Sequence, residues 1–182
     1  MGVIVVTGIP GVGKTTVMKN AAEGMDIEFV TFGTVMSDIA IESGLVKDRD
    51  EMRKLSLEQQ KDLQIKSAEK IANMGNVILD THCTVKTPKG YMPGLPEWVI
   101  KTLKPTAIVV VEADPEEIFN RRANDPTRNR DPDTEEQIDE HQMMNRAAAM
   151  AYAALSGATV KIVFNHDNAI DDAVKQAAPV LD

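Results

Sequence analysis

GIPGVGKTT, Gly8 to Thr16, follows the apolar run VIVV, Val3 to Val6, and continues into VMKNAAEGM, which reads as the rest of a short helix ending near Gly24. The stretch is too rich in glycine to extend the strand, and Pro10 has no N–H to give to a sheet. Gly8, four residues, then Gly13, Lys14 and Thr15 match the Walker A pattern. Each position has a chemical reason. Glycines bend the backbone and expose consecutive N–H groups, an anion nest at the positive end of the following helix. Lys14 is placed to reach the β- and γ-phosphates, and the Thr15 hydroxyl to hold Mg²⁺. Pro10 falls among the variable positions, where it stiffens the loop as long as the phosphates do not need its N–H. An ordinary glycine-rich turn would not require strand, loop and helix in this order. The loop reads as one that wraps a triphosphate.

The chain has 182 residues, enough for one domain with a sizeable core. Its 43% apolar and 26% charged content is that of an ordinary soluble globular protein. A net charge of −8 argues against a general nucleic-acid binder. Cys83 is the single cysteine and suits a reducing cytoplasm. No apolar run approaches the length of a membrane span or signal peptide. The expectation is a cytoplasmic protein without nucleic-acid or membrane partners.

Five short, continuous apolar runs read as strands: Val3–Val6, Ile27–Thr31, Val77–Asp80, Ala107–Glu112 and Thr159–Phe164. Helical sequence separates them, as in a parallel sheet covered on both faces. Ser56 with Gln59, Asp114 with Glu117, and Thr134 with Gln137 give helix-start signals. The fold expected is α/β: a three-layer, doubly wound, parallel five-stranded sheet of the P-loop nucleoside triphosphate hydrolase-like kinase kind, a single domain over residues 1–182.

Ligands of such sheets lie beyond the carboxyl ends of the strands. VILD ends its strand in Asp80, where an acid can hold Mg²⁺ directly or through water. His82 and Cys83 follow, but without a second pair at ligand spacing they make no zinc site. Of seven arginines, five lie between Arg121 and Arg146, with pairs at Arg121/Arg122 and Arg128/Arg130. The planar guanidinium fork suits phosphate, although surface ion pairs would also account for these residues. KDRDEMRKLS, with Arg49, Arg53 and Lys54, and KTPKGYMPGLP, rich in proline and glycine, read as irregular loops for a second substrate.

Taken together, the sequence resembles the archaeal-type adenylate kinases. The resemblance rests on GIPGVGKTT, FGTVM (Phe32–Met36), DRDEMRKLS, DTH followed by TPKGYMPGLP, DPEEI…RR…TRNRD, NRAAAMAYA and GATVKIV. It implies reversible transfer of the γ-phosphoryl of MgATP to AMP, giving two ADP, with Mg²⁺ and no zinc. Under it, Gly8, Ile9, Pro10, Gly11, Val12, Gly13, Lys14, Thr15 and Thr16 hold the ATP phosphates, and Thr15 and Asp80 serve the metal. Thr34 and Arg53 fall where AMP is bound, within a monophosphate segment of about 32–75, and Gly94 with its neighbours lines the same pocket. Lys14 spans the transferred group, and Arg121, Arg128 and Arg130 match arginines of a short lid of about 121–134. A homotrimer is implied as well, in keeping with the broad apolar surface of the helix from Thr134. Met36, Ser37 and Asp38 stand where longer bacterial enzymes carry an arginine, so Arg53 is assigned as its substitute. A kinase for CMP or UMP, a polynucleotide kinase and a nucleotide-dependent switch ATPase remain as alternatives.

Overall fold

The computed structural model describes residues 2–124 and 133–182. Five parallel strands form one sheet in the order β2-β3-β1-β6-β7: β1 (Val3–Thr7), β2 (Glu28–Thr31), β3 (Val77–Asp80), β6 (Ala107–Glu112) and β7 (Thr159–Phe164). Alternate residues of a strand point to opposite faces, and here both faces are covered. Val3 and Val5, with Leu79 and Val110, pack on α2 (Phe32–Glu42), α3 (Leu57–Ala72), α4 (Glu97–Leu103) and α6 (Glu135–Ser156). Ile4 and Val6, with Val109 and Val111, pack on α1 (Lys14–Ala21), α5 (Pro115–Ala123) and α7 (Ile170–Ala177). Double coverage explains why the strands read as unbroken apolar runs.

Helix starts follow the sequence signals. Capping boxes form at Ser56/Gln59, Asp114/Glu117 and Thr134/Gln137, each satisfying N–H groups that the first turn leaves unpaired. Gly157, at φ 78°, closes α6 in the left-handed conformation. Beside the sheet, Ala40, Val46 and Leu63 form a small separate core with Met36, Ile39, Met52 and Leu55. That cluster joins α2 and α3 to the 3₁₀ turn Arg49–Lys54. Its apolar content lets this part of the chain hold its shape beside the sheet rather than beneath it.

One expectation is corrected. KTPKGYMPGLP is largely an antiparallel hairpin, not an irregular loop: β4 (Thr84–Thr87) pairs with β5 (Gly90–Pro93), Thr87 opposite Gly90. The Thr87 hydroxyl donates to the Gly90 carbonyl at 2.8 Å and accepts from the Lys89 N–H, so the tight turn carries its own bonds. Tyr152 of α6 donates its hydroxyl proton to the Cys83 carbonyl at 2.8 Å and accepts from the Leu95 N–H, tying both ends of the ribbon to one side chain. No helix among the described residues is long and apolar enough to cross a membrane.

Candidate active site

The phosphate-loop sequence leaves β1 at Thr7 and enters α1 at Lys14. Gly8, Gly11 and Gly13 take φ of 154°, 97° and 78°, values that favour glycine. Register places Val6 of β1 beside Asp80 of β3, so the strand-end carboxylate lies next to the loop. Thr15 donates its hydroxyl to Asp80 Oδ2 at 3.2 Å, and Lys14 Nζ lies 3.3 Å from Asp80 Oδ1. A hydroxyl and a carboxylate side by side form a hard-oxygen donor set of the kind Mg²⁺ takes, with water and phosphate oxygens completing its shell.

These groups face a cavity of about 780 Å³. Ile9, Pro10, Gly11, Gly13, Lys14, Thr15 and Thr16 line it from the loop, and Asp80, Thr34 and Arg121 complete its wall. Val12 is fully buried in the core, and Gly8 packs against β6, where a Cβ would lie 2.5 Å from the Val111 carbonyl oxygen. Arg53 and Gly94 stand outside the lining. Arg53 folds back on its own turn, bonding the Asp50 carbonyl at 3.0 Å and the Asp50 carboxylate at 3.1 Å. Gly94 meets a packing demand: its N–H bonds the Cys83 carbonyl at 2.8 Å, and a Cβ would lie 1.9 Å from the His82 carbonyl oxygen. Arg128 and Arg130 lie outside the described residues.

Four lining residues, Thr31, Gly33, Thr81 and His82, were given no binding role from sequence, and Arg49 was named only as part of the second-substrate segment. Arg49 lies close over the first turn of α2, with Nη2 3.1 Å from the position a Cβ would take on Gly33. The signal was available, since Arg49 belongs to the same basic turn as Arg53, but spacing alone does not tell which arginine turns inward. His82 lines the cavity with part of its surface open to solvent, while the protein around its ring removes much of its hydration. Loss of hydration, then the positive Lys14, holds its imidazole below the ordinary value, against the opposing pull of Asp80, so the ring favours the neutral form. Burial pushes the Cys83 thiol up to about 12, well away from thiolate chemistry.

A second, open cavity of about 400 Å³ is lined by Gly11, Gly13 and Arg121 together with residues 165–168. Arg121 is held as a wall between the two spaces. Its Nε donates to Asp167 at 2.7 Å and its Nη2 to the Asn165 carbonyl at 2.8 Å. Glu117 braces the same loop, accepting from the Asp167 N–H at 2.7 Å and pairing with His166 at 3.0 Å. These bonds outweigh burial and keep the Glu117 carboxyl below its usual range. Together with Asp114, they account for the grouping of Asp114, Glu117 and His166, whose ligand-type atoms lie within 4.8 Å of one another.

A parallel sheet in this order, with a Walker loop on its central strand and a strand-end acid beside it, defines a P-loop kinase fold. The shikimate kinase of Bacteroides thetaiotaomicron shares it, with a TM-score of 0.58 at 14% identity over 99% of this chain and 98% of that one. The model of the AAA domain family matches residues 7–139. Adenylate kinase of Methanothermobacter thermautotrophicus is 54% identical over the whole of both chains. Adenylate kinase of Methanocaldococcus jannaschii is 52% identical over 98% of this chain and 97% of its own. The chain belongs to the adenylate kinase family and is a phosphotransferase.

Proposed function

We propose that the protein transfers the γ-phosphoryl of Mg-bound ATP to AMP and runs the reverse reaction from two ADP. The observation carrying this is one cavity lined both by Lys14, Thr15 and Asp80 and by Arg49 and Thr34. A phosphate oxygen of AMP attacks the γ-phosphorus, and the bond to the β–γ bridging oxygen breaks, so the charge needs stabilising but no side chain has to remove a proton. An Mg²⁺ ion held at this end of the loop would supply positive charge to offset that of the phosphates. The loop N–H groups and Lys14 hold the donor phosphates, while Thr15 and Asp80 are the residues that would hold the ion. Arg49 and the N-terminus of α2 suit the α-phosphate of the acceptor. This reading gives Arg49 the place that the sequence suggested for Arg53, and it assigns Gly94 to the shape of the hairpin base. Arg121, and Arg128 and Arg130 of the proposed lid, would stabilise charge spreading over the transferring group.

Residues 32–75 fit the acceptor segment because they possess their own small core. The oligomeric reading is a homotrimer built on the outer face of α6, where Met143, Met144, Met150 and Leu155 are exposed. A reducing cytoplasm suits the buried, protonated Cys83. The test is ADP offered alone with Mg²⁺: this enzyme gives ATP and AMP in equal amounts, whereas a switch ATPase gives no ATP. A parallel panel of AMP, CMP and UMP with ATP should show AMP as the acceptor used best.

A further inference from the structure

Two side chains from outside the phosphate loop grip its backbone. Arg122, on α5, donates Nε–H to the Pro10 carbonyl at 2.7 Å. Asn165, just past β7, donates its amide N–H to the Val12 carbonyl at 2.8 Å. Neither bond is explained by the fold of the loop itself, and both land on the peptide that precedes a glycine. Peptide bonds throughout the described chain are trans, so carbonyl and N–H point to opposite sides of each unit. Fixing the Pro10 carbonyl fixes the direction of the Gly11 N–H. Fixing the Val12 carbonyl does the same for the Gly13 N–H. Gly11 and Gly13 both line the main cavity.

Each clamp is itself held. Asn165 is 8% exposed; its N–H bonds the Glu112 carbonyl at 2.8 Å and its carbonyl receives Arg121. Arg122 is held by Asp133 at 2.8 Å, and Asp133 also receives Lys86 of the hairpin at 2.9 Å. The glycines are fitted to their clamps. A Cβ on Gly13 would lie 2.5 Å from Asn165 Nδ2, and one on Gly11 would lie 3.1 Å from Arg122 Cγ. Gly11 falls where the Walker pattern accepts any residue, so its glycine answers to Arg122 and to its φ of 97° rather than to the motif.

We infer that Asn165 and Arg122 are positioning residues that keep the Gly11 and Gly13 N–H groups turned toward the nucleotide phosphates before any ligand arrives. A glycine-rich loop is conformationally permissive, and a peptide unit that flips would present a carbonyl where an anion needs a donor. The clamps set affinity for phosphate, whatever base is attached. This inference rests on reading Gly8–Thr16 as the phosphate loop.

The test compares the full-length protein with Asn165→Ala and Arg122→Lys, the second keeping its charge but losing the Nε–H. Tripolyphosphate, ATP and AMP are titrated by calorimetry well below the melting temperature, and ¹⁵N spectra follow the Gly11 and Gly13 amides without ligand. In each variant, tripolyphosphate and ATP should bind about ten-fold more weakly, by a common factor of the size one hydrogen bond sets. AMP affinity should stay put, and the amide of the released glycine should shift or broaden. A residue that only stabilises the fold would lower the melting temperature without moving tripolyphosphate affinity. Tripolyphosphate binding equal to wild type in both variants overturns the clamp alone. Failure of the wild-type protein to bind tripolyphosphate or ATP overturns the phosphate-loop reading and the clamp with it. If Asn165→Ala does not fold, Arg122→Lys decides by the same comparison.

Discussion

Lys14 and Asp80 stand 3.3 Å apart across the ends of α1 and β3, with side-chain exposures of 16% and 14%. The loop lysine is thus paired with the strand-end carboxylate. Under the proposed function, a bound triphosphate would draw Lys14 toward a stronger anion and leave Asp80 for the metal.

Lys14→Met should cost both activity and stability. Removing a preorganised charge from the transferring group costs about 10²–10³ in turnover. Among the described residues, the same change leaves a mostly buried carboxylate with Thr15 as its remaining side-chain partner, at about 1–3 kcal/mol for a group that has lost its ion pair. Adding Asp80→Asn should recover the melting temperature and none of the activity. A double-mutant cycle in urea measures the recovery. Full stability in Lys14→Met alone would show that the pair contributes nothing to folding.

Arg49→Ala should raise the KM for AMP by about 10–100-fold, the worth of a charge-assisted hydrogen bond, with the KM for ATP little changed. Arg53→Ala should alter neither by more than about two-fold, since Arg53 is an exposed partner of Asp50. Initial rates at varied AMP separate the two residues. The opposite ranking would return the α-phosphate to Arg53.

Stability should fall on mild acidification, and His141 should carry part of the fall. Its ring bonds the Thr84 hydroxyl at 3.1 Å and packs on Tyr91, and burial lowers its pKa from 6.5. Below about 6.5 the unfolded chain takes up a proton that the folded ring resists. The stabilisation is therefore present above that value and is lost as pH falls toward the depressed one. Urea melts at about pH 7 and about pH 5.5 should differ less in His141→Gln than in wild type. An identical difference in both proteins would acquit His141.

Light scattering at micromolar protein should report about three times the 19.9 kDa chain mass. Met143 and Met150, 59% and 60% exposed, should sit at the contact, so Met143→Glu with Met150→Glu should dissociate the assembly with little change in chain fold. A monomer in the wild-type protein rejects the interface.

Strands, capping boxes and the Asp80 position were legible because each depends on residues close in sequence or on the unbroken apolar character of a doubly covered strand. The hairpin was not, since proline and glycine in TPKGYMPGLP give the same local signal for a tight turn as for an open loop. Choosing between Arg49 and Arg53 needed the competing pull of Asp50, which captures the second and spares the first. Asn165 gave no sequence signal at all. Its task is to reach a carbonyl 153 positions away, and a lone asparagine after a strand looks like any turn residue.

The middle strand of the sheet precedes every one of its partners in the chain. Val3 waits for Val77 and Ile4 for Ala107. At about 5–20 residues per second, on the order of 5–20 s separates the synthesis of Ile4 from that of Ala107. For that interval the glycine-rich loop hangs from a strand with at most one neighbour, and an apolar segment suited to burial on both faces stays within reach of chaperones and of other nascent chains. The pairing of β1 with β6 is thus a late, closing step in the order of synthesis. Substitutions in Ala107–Glu112 leave that synthesis interval unchanged and act on how readily β6 then covers β1, as well as on the stability finally reached.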